Sequence, residues 1–161
     1  MIRTPSNRRR GVGLLYLTFV GFLLASAACR AQITVDITLP GTISFTAMNI
    51  TQSATGSPDP CVVEYSAYNG GGTLKISIQA GSAYFTRPGG AGWEIPASNV
   101  SWTASGGGSS SGTLSSSSFT QMYSGTAVAS SFSLTWHLAA LDASVRAGLH
   151  TITATWKIES L

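Results

Sequence analysis

The chain has 161 residues, one ordinary domain's worth, and carries only 9 basic and 6 acidic side chains. Arg3, Arg8, Arg9, Arg10 and Arg30 all precede residue 32, so the rest is slightly acidic and the formal +3 gives no support to a nucleic-acid partner. Charged residues are 9% of the chain, against roughly a quarter in ordinary domains, and hydrophobic ones reach 43%; disorder, which joins few apolar residues to high net charge, is thereby excluded.

The first element is a leader. Met1–Arg10 is basic, residues 11–28 are uncharged and mostly apolar, and residues 25–31 are small apart from Arg30. Basic, apolar, then small is the order of a secretory signal peptide, with Cys29 and Ala31 at the small positions and cleavage expected after Ala31. Three alternatives compete. A retained anchor would need a longer apolar run than 18 residues comfortably supplies. Lipidation at Cys29 would need a bulky aliphatic residue where Ser26-Ala27-Ala28 stands. Twin-arginine export would need apolar residues where Gly11-Val12-Gly13 follows the arginines. The expectation is a signal peptide over 1–31 and a single secreted domain over 32–161, touching membrane only through its leader. Cys61 would then be the one remaining thiol, and its neighbours Val62-Val63 favour burial.

From Gln32 onward, side chains alternate with period two, the mark of half-buried strands. Ile33, Val35, Ile37 and Leu39 alternate with Thr34, Asp36 and Thr38 up to Pro40-Gly41. Ile43, Phe45 and Ala47 extend the pattern as a second strand. Gly56-Ser57-Pro58-Asp59-Pro60 is a loop. Cys61–Tyr68 is a strand, and Asn69-Gly70-Gly71-Gly72 reads as a hairpin turn into Leu74, Ile76, Ile78 and Ala80. Tyr84-Phe85-Thr86 is short, and a glycine loop, Pro88–Gly92, follows it. Val100, Trp102 and Ala104 give the next apolar face.

Residues 105–118 hold twelve Ser or Gly in fourteen positions, the composition of a flexible loop. Phe132, Leu134, Trp136 and Leu138 form another strand face. Leu138–Ala147 has helix-forming composition, ended by Gly148. Ile152, Ala154, Trp156 and Ile158 form the remaining face, and Trp102, Trp136 and Trp156 all fall in phase with core positions. The whole reads as an all-β fold: an antiparallel β-sandwich of about seven to nine strands, Greek-key (immunoglobulin-like) or jelly-roll-like.

Catalytic chemistry finds little footing. His137 and His150 are the only imidazoles; His137 falls on the face opposite Phe132, Leu134 and Trp136, and no serine sits in a nucleophile-elbow context. The acids are dispersed, with no sequence support for a glycoside-cleaving pair. No cysteine pair, His-x-x-x-His or Asp-rich loop offers metal or cofactor ligands. Asn49-Ile50-Thr51 and Asn99-Val100-Ser101 match the glycosylation acceptor pattern.

The ligand-binding candidates are Trp93 and Glu94, at the end of a glycine-rich loop. The ordinary fate of a loop tryptophan is to fold back over the end of the sandwich, which is the expectation here. An exposed ring beside Glu94 would instead suit the flat face of a sugar. The function expected is that of an exported, non-enzymatic structural or surface-interaction protein, a fimbria-like or adhesin-like subunit. Gln32–Leu39 is expected to pair within its own sheet; added instead to the open sheet edge of a neighbour, it would make a second copy the partner. The alternative is a secreted carbohydrate-binding module that uses Trp93 to hold surface polysaccharide.

Overall fold

A computed structural model of the chain describes residues 34–161 apart from 48–49, 69–71, 91–92, 127–128 and 146. The expected leader, Cys29, the expected cleavage position after Ala31, the glycosylation-pattern Asn49 and most of the expected Asn69–Gly72 turn lie outside these residues. Among the described residues, ten strands form two antiparallel sheets packed face to face, an all-β sandwich. They are β1 (Thr34–Thr38), β2 (Ser44–Phe45), β3 (Ala54–Ser57), β4 (Cys61–Tyr68), β5 (Thr73–Ala80), β6 (Val100–Ser105), β7 (Gly112–Thr113), β8 (Thr120–Thr126), β9 (Ser130–Leu138) and β10 (Ala154–Ser160).

The larger sheet is built on β9, whose Phe132, Leu134, Trp136 and Leu138 alternate inward as the sequence predicts. One edge of β9 pairs with β6, and the other pairs with β4 and β3 laid end to end. The break between those two is Ser57-Pro58-Asp59-Pro60, with both X-Pro bonds cis. Proline has no N–H for the ladder, so pairing stops there. The Thr135 hydroxyl bridges the gap by donating to the Asp59 carboxylate at 2.8 Å. β1 and β2 flank β4 and β3 in the same broken fashion. The expected second strand, Ile43–Ala47, shrinks accordingly to Ser44–Phe45, and such breaks explain why the count exceeds the seven to nine expected.

The smaller sheet has the order β10-β5-β8. β4 and β5 therefore belong to different sheets, and the hairpin expected at Asn69–Gly72 does not form between them. Both strands carry good alternation, which is blind to partner choice. β8 departs from alternation through a bulge. Tyr123 faces Ile76 and Gln121 faces Ser77, which leaves Met122 as the extra residue. Both Met122 and Tyr123 consequently enter the core.

Aromatic rings join the sheets. Tyr123 of β8 stacks on Phe132 of β9 (centroids 5.4 Å, planes 10° apart) and lies 4.9 Å from the Tyr65 ring of β4. Within the larger sheet, Trp102 and Trp136, opposed across β6 and β9, pack at 5.3 Å. Each such pair adds ~0.5–1.5 kcal/mol beyond its buried area. Cys61 is buried as expected, and burial pushes its thiol pKa up, against a smaller opposing pull from the Trp136 indole N–H. That N–H is buried without a conventional acceptor.

Residues 105–118 correct an expectation. They are not a slack loop but a crossing between sheets. Ser110 N–H donates to Met122 O at 2.7 Å and Ser124 N–H to Gly108 O at 2.9 Å, along the outer edge of β8. The chain then returns as β7 against β6, and Ala80 N–H donates to Ser115 O at 2.8 Å. Small residues are needed because the backbone runs against Trp102, whose indole N–H donates to Ser110 O at 2.9 Å. A Cβ on Gly112 would sit 2.7 Å from that ring. Gly108, at φ 78°, adds a left-handed turn that glycine alone adopts freely.

Two further expectations fail. Among its described residues the helix-like run after Leu138 forms no helix: Asp142 accepts from the backbone N–H and hydroxyl of Ser144 in a tight turn, a local alternative that outcompetes so short a helix. Trp156 is half-buried rather than core, because β10 is an edge strand that the opposite sheet only partly covers.

Replacing Trp102 by alanine should lower unfolding free energy by about 3–5 kcal/mol in urea titrations. Burial, reinforced by the Tyr65 hydroxyl, pushes Tyr123 up to about 12. The unfolded chain, with an ordinary tyrosine near 10, loses its proton first as pH rises. This contribution is complete below about pH 10 and is lost between there and about 12. Urea midpoints measured across that window should fall in the natural protein and fall less in Tyr123→Phe.

Candidate functional site

The segment joining β5 to β6 builds one end of the molecule. Tyr84 bridges Pro96 in antiparallel fashion, Phe85 N–H donates to Ile95 O at 2.9 Å, and Ala97 N–H donates to Ala83 O at 2.8 Å. On the other side Thr86 and Thr151 exchange backbone hydrogen bonds of 2.7 and 3.2 Å. Ile95 and Ala97 are buried and anchor this small ribbon on the core. At its tip Pro88 rests against Gly148, where a Cβ would come within 2.7 Å of the proline ring and φ is 139°. Glycine is the residue that meets both demands.

Anchoring Ile95 leaves the preceding residues outside. Trp93 is 68% exposed, and so does not fold back over the sandwich end as expected. The core there is already closed by Phe85, Ile95 and Ala97, which leaves the indole nothing to cover. Glu94 is exposed and pairs with Arg87 at 3.5 Å, a contact worth about 0–1 kcal/mol in water. Tyr84 and Leu149 are also exposed on this end. A flat ring beside a carboxylate and a guanidinium can stack on the apolar face of a sugar while its neighbours bond to hydroxyls.

The other sequence candidates are scattered. His137 lies on the outer face of the larger sheet, 3.4 Å from the Thr103 hydroxyl. His150 lies beside the Thr86–Thr151 bridge. Among the described residues, no three His, Cys, Asp or Glu side chains gather as a metal site would require. Dispersed in sequence, Asp36 and Glu64 nevertheless come together: β1–β4 register sets Asp36 opposite Ser66 and Thr38 opposite Glu64. Both acids line a shallow depression of about 450 Å³ with Tyr65 and Ser131. Only strand register, invisible in the sequence, reveals this neighbourhood. Both carboxylates are exposed.

No protein-family model, curated protein or solved structure matches the chain. Among the described residues, no helix is long and apolar enough to cross a membrane.

Trp93→Ala should leave the thermal midpoint within about 1–2 °C of the natural protein, a surface substitution's effect, whereas Trp102→Ala lowers it sharply. Paired melting curves followed by circular dichroism check this contrast.

Proposed function

We propose that the chain is an exported, non-enzymatic structural or surface-interaction protein, a fimbria-like or adhesin-like subunit that works by contact with copies of itself. The observation that carries this reading is that each sheet keeps an open edge. Among the described residues, β1 pairs only with β4, and β10 only with β5. Soluble sandwiches usually blunt such edges with charge, proline or covering loops. In this chain the other edge of the smaller sheet is covered, by residues 108–110, while β1 keeps half-buried Val35 and Ile37 on a five-residue pairing. A segment held on one side only can leave its place and add to a neighbour's edge, and a nearly uncharged surface offers little repulsion to close approach. The basic-apolar-small order of residues 1–31 supports export, and with cleavage after Ala31 Gln32–Leu39 would open the secreted domain.

The exposure of Trp93 favours a second reading, a carbohydrate-binding module with Trp93 as platform and Glu94 as hydroxyl partner.

Protein purified after full-chain expression should form concentration-dependent polymers in negative stain. Excess synthetic peptide Gln32–Leu39 should cap them. A monomer at every concentration, retained on insoluble polysaccharide and released by Trp93→Ala, would replace the first reading with the second.

A further inference from the structure

We infer that β10 is a two-fold interface through which two copies of the chain join their smaller sheets into one. The inference rests on the reading of the protein as a self-associating subunit and gives the open edge of β10 an occupant and a register, which that reading leaves undefined. Hydrogen-bond phase provides the first argument. Leu161 and Thr73 exchange bonds of 2.9 and 3.0 Å, and Gly81 N–H donates to Thr153 O at 2.8 Å. Register between these points is unbroken from Ala154↔Ala80 to Ser160↔Leu74. Antiparallel ladders alternate, so Thr155, Lys157 and Glu159 direct their backbone groups at β5. Ala154, Trp156, Ile158 and Ser160 direct theirs at the open edge.

Charge selects the register. An antiparallel copy centred on Ile158 sets Ile158 against Ile158, Trp156 against Ser160, and Lys157 against Glu159 twice. The outward groups of Trp156, Ile158 and Ser160 are then in phase, giving about six interchain hydrogen bonds. Shifting the copy by one step, the smallest shift that keeps this phase, sets Lys157 against Lys157 or Glu159 against Glu159. An edge lysine ordinarily discourages strand addition. Lys157 is already neutralised by Glu159 of its own strand at 2.7 Å, which holds the Glu159 carboxyl below its usual range. Pairing across the axis exchanges partners without stranding a charge.

Apolar surface completes the case. Ile158 points toward the core side, as does Ile76 opposite it, yet it is 40% exposed, and Trp156 beside it is half-buried. A second β10 brings another Ile158 across the axis, over the surface that the larger sheet leaves open.

With polymers capped by excess Gln32–Leu39 peptide, analytical ultracentrifugation of the purified protein should give a dimer. Lys157→Glu and Glu159→Lys should each weaken it about tenfold or more, by turning two attractive cross-strand pairs repulsive. The double variant should recover dimerisation to within about threefold, because the reversed charges complement again. Amide exchange gives an independent measure: Ile158 and Ser160 N–H groups should slow with rising concentration, while Lys157 and Glu159 stay protected throughout. A double variant as weak as the singles, or Ile158 exchange independent of concentration, would overturn the interface. Polymers capped by the Gln32–Leu39 peptide in those same preparations would show that the assembly reading survives its loss.

Discussion

The sandwich depends on one cross-sheet contact, the packing of Tyr123 on Phe132 and Tyr65. The smaller sheet has only three strands, and its central strand supplies Leu74, Ile76, Ile78 and Ala80, side chains with no directional preference of their own. The stacked ring of Tyr123 fixes where β8 sits over β9 and β4. That placement requires the bulge at Met122, since strict alternation would turn either Met122 or Tyr123 out to solvent. Burying both fills the space between the sheets and lets the following residues meet the Ser/Gly crossing in register.

The fold was legible where a strand's environment is symmetrical. β5, β6 and β9 lie inside their sheets, and their apolar residues sit inward as alternation predicts. Errors collect at edges and crossings. Trp156 has the same pattern as Trp136 but lies on a strand whose far side has no neighbour. Alternation also cannot say which strands share a sheet, so Asn69–Gly72 looked like a hairpin while the chain changed sheets. The Ser/Gly run looked slack because its composition is that of flexible linkers. Its small residues instead permit backbone to approach Trp102 and β8.

The site was legible in part. Trp93 and Glu94 were identifiable from a glycine-rich loop carrying an aromatic and an acid, but the exposure of the indole was not. It follows from Phe85 and Ile95 having already closed the core, a fact of packing rather than of local sequence. The open edge of β10 had no sequence signal either. It emerges from hydrogen-bond phase, which needs known partners, and from the spacing of Lys157 and Glu159, which gains meaning only beside an unpaired edge.

The Ser/Gly crossing bears on resistance to proteolysis. Exposed runs of small residues are ordinarily where chains are nicked, because a protease must draw several residues of free backbone into its cleft. Here backbone groups of Gly108, Ser110, Leu114 and Ser115 are bonded to strands of both sheets or to Trp102. A stretch whose composition invites digestion is thereby fastened at successive points, and cutting it would first require the edge of a folded sheet to peel away.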